Sequence, residues 1–139
     1  MKEKPLYRLA LAYALALVLA GAVWAKTYTM QATAIVPGAI GTIEAKADKN
    51  GGNTQVDLKT EHLAKPTLLT PPATSYVVWL QEQGGQPENE GILRVGDDQK
   101  SELKMTTSAS KFSVFVTAEN DPKAKSPSSR VVLRSDVQE

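Results

Sequence analysis

The sequence predicts an all-β fold: a seven-stranded immunoglobulin-like antiparallel sandwich over 37–135, preceded by an N-terminal signal or anchor helix and followed by a short tail, 136–139. Three observations predict it. Apolar and polar residues alternate with period two in several segments, as in half-buried strands. Turn-forming residues separate these segments, and no stretch after Lys26 has a convincing helical period. Seven strands in roughly 100 residues is the proportion of a small sandwich.

The first 25 residues have the pattern of an export segment. Lys2, Lys4 and Arg8 precede an apolar run, and the small residues Val23 and Ala25 lie three and one places before a cleavage site that would follow Ala25. This order of basic, apolar and small residues is typical of a secretory signal peptide. We therefore expect the rest of the chain to work outside the cytoplasm.

The sequence leaves open whether this segment, 1–25, is removed. Its uncharged part, 9–25, has 17 residues, at the lower limit of the roughly 17 to 25 that cross a bilayer as a helix. A retained segment would anchor the protein in the inner membrane, with 26–36 as a juxtamembrane linker and Tyr28 to Ala34 as an extension of the helix. A cleaved one would leave a secreted protein, periplasmic or at the cell surface.

Composition narrows the class of protein. After Ala25 the chain has 13 basic and 14 acidic residues, a net charge of −1, and the charges are interspersed. Nucleic-acid binding needs clustered Lys and Arg, so we expect no nucleic-acid partner. The absence of cysteine excludes disulfides and thiolate metal sites. About 114 residues remain after the leader, the usual size of one domain, which its apolar core must hold together.

The first two strands are predicted to form a hairpin. Small and apolar residues alternate with polar ones over 41–48, and again over 55–61, and the turn residues Asn50-Gly51-Gly52-Asn53 lie between them. Pro66, Pro71 and Pro72 then interrupt any regular ladder. We expect 65–73 either to cross between sheets, as in a Greek-key connection, or to run along the edge of a sheet.

Two strands are predicted to be central in the fold, because both of their alternating sets of side chains include apolar residues. Over 75–81, Val77 and Trp79 alternate with a second apolar set, and over 112–119 Phe115 lies opposite the inward phase. Shorter strands are predicted over 92–95 and 103–105, with a closing strand from Val131. The predicted core signature consists of Tyr76, Trp79, Phe112, Val114 and Val116.

The chemistry-bearing residues indicate no reaction. His62, the only histidine, falls on the inward phase of the second strand and could act as a pH switch, but a structural role is favoured. Asp97-Asp98 and the run 119–121 could supply oxygens to Ca²⁺, yet both suit turns and lack a calcium-loop pattern. No catalytic, cofactor-binding or metal-binding residue is assigned, and we expect no enzyme.

The sequence suggests two candidate binding surfaces. Tyr76 and Trp79 could form an aromatic platform for a ligand, but a buried tryptophan on a central strand is the favoured interpretation. The polar loop 82–91 follows that strand. Its exposed polar residues are the candidate contact loop: Gln86, Glu88, Asn89 and Glu90.

The spacing of several core residues resembles a known family. The elements are Tyr76-x-x-Trp79-Leu80, Gly91-x-Leu93, Phe112-x-Val114-x-Val116-Thr117-x-Glu119, Pro127 and Val131-Val132-Leu133. In this order they resemble the C-terminal extracytoplasmic domain of the anti-sigma-K factor family, over Pro37 to Arg134. The resemblance implies a β-sandwich outside the membrane that belongs to a transmembrane regulator of an alternative sigma factor.

One domain of that family has no counterpart in this sequence. In the family a cytoplasmic helical domain, often with a zinc-binding His and Cys set, holds the sigma factor, whereas here only about Met1 to Leu6 could remain inside. We expect the outer module alone, an interaction or sensory domain whose partner is an envelope protein or a membrane regulator. The alternative is a small secreted structural sandwich, or one that binds a carbohydrate or a metal.

Overall fold

A computed structural model describes residues 25–48 and 50–138. These residues form antiparallel strands and one short 3₁₀ helix, Pro66–Leu68, between the third and fourth strands. The strands are β1 (Ala25–Ala32), β2 (Ile40–Ala47), β3 (Thr54–Glu61), β4 (Ser75–Glu82), β5 (Glu88–Leu93), β6 (Ser101–Thr107), β7 (Lys111–Glu119) and β8 (Val131–Gln138). The prediction of an all-β antiparallel fold is confirmed, but the described residues form eight strands instead of seven.

The strands form one sheet in the order β5-β4-β7-β8-β1-β2-β3-β6. The two strands at the ends of this order, β5 and β6, contact each other, so that the sheet nearly closes into a barrel. We call β1, β2, β3 and β6 the first half-sheet, and β4, β5, β7 and β8 the second half-sheet. Strand β1 joins the halves, because 25–30 pair with β2 whereas Gln31 and Ala32 pair with β8.

Strand β1 corrects two expectations. The segment assigned to a linker, 26–36, contains most of this strand, and the suggested helical extension over Tyr28 to Ala34 is wrong. Only Met30 of β1 is buried, so the strand has little apolar alternation to reveal it. Its position depends instead on a close approach to β2: Met30 lies opposite Gly41, where an added Cβ would come within 2.9 Å of the Met30 sulfur.

The predicted hairpin is confirmed. Strands β2 and β3 pair in register along their whole length, and Gly52 in their turn has φ of 68°, a conformation that glycine adopts without strain. The connection 62–74 then leaves the first half-sheet and begins β4 in the second. Its proline-containing stretch forms no strand, as expected.

The inner faces of the two half-sheets pack on one hydrophobic core. Ile43, Leu58 and Val116 are among its fully buried side chains. All five residues of the predicted core signature are buried: Tyr76, Trp79, Phe112, Val114 and Val116. The Tyr76 hydroxyl donates a hydrogen bond to the Ala64 carbonyl at 2.6 Å, and burial raises the pKa of Tyr76 to about 12.

The two ends of the barrel-like sheet differ. Because all neighbouring strands are antiparallel, odd-numbered and even-numbered strands run in opposite directions. The short connections 48–53, 83–87 and 108–110 therefore share one end with Ala25 and Gln138. The longer connections lie at the opposite end: 33–39, 62–74, 94–100 and 120–130.

The predicted signal or anchor lies, except for Ala25, outside the described residues. Within residues 25–48 and 50–138, no helix has the length and apolar character to cross a bilayer.

Candidate functional site

A second apolar cluster covers the outer face of the second half-sheet. Its buried members are Val77, Trp79 and Phe115. Trp79 and Phe115 lie directly opposite each other on β4 and β7, and their rings stack with centroids 6.5 Å apart. Opposed residues on antiparallel strands project from the same face. This arrangement explains why both phases of β4 are apolar.

Trp79 is a structural residue in this cluster. The side chain is completely buried, and its indole N–H donates a hydrogen bond of 2.8 Å to the Thr117 hydroxyl. Tyr76 points into the main core on the other face. The two aromatic residues therefore do not form an exposed platform, in agreement with the favoured interpretation of the sequence.

The cluster belongs to a cross-strand row over five strands. Asn89, Trp79, Phe115, Arg134 and Gln31 occupy successive opposed positions on β5, β4, β7, β8 and β1. The Arg134 guanidinium lies 5.0 Å from the centroid of the Phe115 ring, within the range of a cation–π contact. The row thus changes from polar at both ends to apolar in the middle.

The connection 120–130, which we call the covering segment, closes over the middle of this row. Its Ala124 packs against the apolar cluster. The buried carboxylate of Glu119 accepts a hydrogen bond from the Ser128 amide at 3.0 Å, and Asp121 accepts one from the Lys123 amide at 2.9 Å. These contacts fix both limbs of the covering segment.

Asn89 attaches the covering segment to β5. Its side-chain amide donates to the carbonyls of Pro122 at 3.2 Å and Ala124 at 3.0 Å, while its side-chain oxygen accepts from the Gly91 amide at 2.9 Å. All polar atoms of the Asn89 side chain thereby have partners. Asn89 is one of the candidate contact residues, and its side chain also links β5 to the covering segment.

The other candidate contact residues lie around Asn89. Gln86 is exposed in the turn before β5, whereas Glu88 and Glu90 belong to the strand itself, which begins earlier than predicted. A bulge places Glu90 without an opposed residue on β4, because Val78 lies opposite Gly91 and Trp79 opposite Asn89. Gly91 has φ of 130°, a conformation that other residues rarely adopt.

An open groove of about 770 Å³ lies between β5 and the covering segment, and we call it the edge groove. It is lined by 87–92, Arg94 and 122–125. Glu88, Asn89 and Glu90 of the predicted contact loop line it, whereas Gln86 does not. The structure therefore brings three of the four candidates to one concave surface.

The edge groove carries charges of both signs. Arg94, Lys123 and Lys125 are exposed on it, and within the described residues none of them forms an ion pair. Glu90 is half-buried, and burial together with the neighbouring charge of Glu88 raises the pKa of its carboxyl. The groove thus has three basic and two acidic side chains.

The sites considered for histidine and metal chemistry are not supported. The inward placement of His62 is wrong: β3 ends at Glu61, and His62 is exposed with φ of 55°, because the chain turns there. Asp97 and Asp98 lie in the predicted turn, and a hydrogen bond from Lys65 lowers the pKa of Asp97. Among the described residues, no group of three His, Asp or Glu side chains could hold a metal ion.

Comparison with known proteins adds no identity. No protein-family model matches the sequence, and no curated protein matches it.

The covering segment is the part of the site that the sequence analysis missed. One alanine in a polar stretch of Lys, Ser and Pro gives no hydrophobic pattern. The available signal was on the strands: Trp79 and Phe115 face away from the main core, so something outside the sheet had to bury them.

Proposed function

We propose that this protein is a non-enzymatic extracytoplasmic interaction or sensory domain, and that the edge groove is its contact surface. The proposal includes an envelope protein or membrane regulator as the partner, and a relationship to the outer domain of anti-sigma-K regulators. An immunoglobulin-like sandwich is part of it, since the two half-sheets stack their inner faces on one core.

The observation that carries the proposal is how firmly the two walls of the edge groove are attached to each other. Asn89 joins β5 to the covering segment through two hydrogen bonds, and Ala124 anchors that segment on the buried Trp79 cluster. Groups held in place before binding lose little conformational freedom on binding. Polar side chains on such a rigid surface suit recognition of a partner.

The direction of the strands is consistent with attachment of the domain to a membrane through a retained leader. Ala25, the first described residue, lies at the end with the short connections, next to the predicted leader. A retained leader would attach this end to the membrane. The edge groove opens along the side of the sheet, where a neighbouring envelope protein could reach it.

Site-specific photo-crosslinking in intact cells tests the proposal. A photoreactive amino acid replaces Glu88 on the groove or, as the matched control, Gln55 on the exposed face of β3. We expect a discrete protein adduct from position 88 and none from position 55, in an extracytoplasmic fraction. Equal labelling from both positions, no adduct from either, or recovery of the protein in the cytoplasm would contradict the proposal.

A further inference from the structure

We propose that the occupant of the edge groove is an extended acidic segment of a partner protein, which lies along β5 and pairs its carboxylates with Lys123, Lys125 and Arg94. This inference rests on the proposed function and specifies the chemistry of its partner.

The shape of the groove indicates an extended peptide. Successive residues 87–92 all line it. Side chains alternate between the two faces of a strand, so a surface that includes every consecutive residue of β5 follows its backbone edge. Strand β5 is last in the strand order and is hydrogen-bonded to β4 only; it contacts β6 on its other side without pairing with it as a strand. The backbone groups of β5 that pair with neither strand can hydrogen-bond the main chain of an added peptide.

The bulge limits how the peptide can bind. Glu90 interrupts the regular spacing of β5, and the Gly91 amide already donates to the Asn89 side chain. A peptide could therefore not continue the sheet through the whole strand. Recognition must depend on side chains of the opposite wall as well as on main-chain hydrogen bonds.

The covering segment presents two cations from that wall. Ala124 packs inward on the aromatic cluster, and the flanking Lys123 and Lys125 are exposed on the groove. The carbonyls of Pro122 and Ala124 are held by Asn89. The backbone that carries both lysines is therefore fixed at its distance from β5 before a partner arrives.

The charges favour an acidic occupant over a basic one. Arg94, Lys123 and Lys125 are exposed and, among the residues described, in no ion pair. The groove has only two acidic residues, the exposed Glu88 and the half-buried Glu90. Arginine and lysine pair favourably with carboxylates. A basic segment would be repelled by these three cations, so the groove disfavours basic partners.

The test measures binding of labelled model peptides to the full chain purified from its own cells. The probe is a fluorescein-labelled ten-residue peptide of alternating Thr and Glu, and the matched control alternates Thr and Lys; polygalacturonate provides carboxylates on a carbohydrate backbone. We expect fluorescence anisotropy to show saturable binding of the Glu peptide, weakened by salt. The Lys peptide and polygalacturonate should not compete.

Charge reversal locates the binding surface. The double variant K123E/K125E should weaken binding of the Glu peptide about tenfold, because two favourable pairs become repulsive. The matched control, K46E/K104E, reverses two exposed lysines on the outer face of the first half-sheet and should bind like the wild type. Equal weakening in both variants, preferred binding of the Lys peptide, or binding of polygalacturonate alone would overturn the inference.

The two proposals fail in different ways. Discrete crosslinks from position 88 without binding of the Glu peptide would refute the acidic occupant while the contact surface stands. Absence of both would refute the contact surface itself.

Discussion

The outer faces of the two half-sheets are built in opposite ways. That of the second half-sheet buries Val77, Trp79 and Phe115 beneath the covering segment. That of the first half-sheet is open to solvent, and its central positions are charged: Glu44, Lys46, Asp57, Lys59, Glu102 and Lys104. The same antiparallel backbone thus supports a covered apolar surface on one side and a wet, charged surface on the other.

The two outer faces differ in how much each contributes to the stability of the fold. On the charged face, the ion pairs Lys46–Glu44, Lys59–Asp57 and Lys104–Glu102 have N–O distances of 3.5 to 4.0 Å, and all of these side chains except the half-buried Asp57 are exposed. Surface pairs of this kind add about 0 to 1 kcal/mol each. The covered face removes large aromatic side chains from water, which stabilises far more. It also anchors the covering segment through Ala124.

The largest effect should come from removing the aromatic side chain that the covering segment buries. Trp79→Ala should lower the free energy of unfolding by about 3 to 5 kcal/mol, as for a large-to-small substitution in a core. Lys104→Ala on the charged face should change it by less than about 0.5 kcal/mol. Chemical denaturation followed by circular dichroism measures both. Similar values for the two variants would remove the contrast between the faces.

A smaller loss is expected when only the polar partner of Trp79 is removed. Thr117→Val keeps the volume but leaves the buried indole N–H without its acceptor, which costs about 1 to 3 kcal/mol. Thr106→Val, an exposed position on the charged face, is the control and should be within about 0.5 kcal/mol of the wild type. A neutral Thr117→Val would mean that the indole hydrogen bond contributes little.

Releasing the covering segment should affect the access of solvent to Trp79 more than global stability. Asn89→Ala removes both hydrogen bonds to that segment and should cost about 1 kcal/mol. In a Trp24→Phe background, acrylamide should quench Trp79 fluorescence more strongly in this variant. Gln86→Ala, in the neighbouring turn, is the control; equal quenching in both variants would show that Asn89 does not hold the segment.

The smallest effect concerns pH and the charged face. Burial, then the hydrogen bond and charge of Glu102, raise the pKa of Asp57 above its ordinary value of 3.8, against the lowering effect of Lys59 and Lys104. When the pKa of an acid is higher in the folded state than in the unfolded state, its contribution to stability is fully present below the unfolded-state pKa. That contribution is lost as the pH rises through the folded-state pKa. Ionised Asp57 therefore destabilises the fold at neutral pH.

Asp57→Asn tests this sign. Its stability relative to the wild type should increase as the pH rises from about 3 to about 7, and Glu61→Gln is the control. Thermal unfolding at a series of pH values measures the difference. A constant difference between Asp57→Asn and the wild type across this range would show that Asp57 has no raised pKa in the folded protein.

The strand pattern could be predicted where burial alternates strongly. In β4 and β7 the apolar residues of both phases indicated central strands, and both are central in the sheet. Strand β1 was missed because Met30 is its only buried residue and because it follows the predicted leader directly. Its position comes from pairing with distant strands, a tertiary effect that local sequence does not encode.

The candidate site was predictable in location but not in form. The residues Glu88 to Glu90 were identified by their polarity beside the Trp79 strand, and they do line the edge groove. The opposite wall, 122–125, is distant in sequence and has no hydrophobic pattern. The predicted inward placement of His62 was wrong for a local reason. Strand β3 ends at Glu61, and His62 begins a turn with a positive φ. The alternation of apolar and polar residues does not show where a strand ends.

Strand β1 has a mechanical consequence. The terminal strands β1 and β8 begin and end on the same side of the domain, are antiparallel, and share the register pairs Gln31–Arg134 and Ala32–Leu133 at their far ends. Near the chain ends, the hydrogen bond from the Tyr28 hydroxyl to the Gln138 carbonyl, 2.7 Å long, links them. A force applied between the two ends would peel these strands apart, loading the bonds one after another instead of together. The domain should therefore unfold at low force when it is pulled from both ends. A force that acts only through the leader would not load the pairing between β1 and β8.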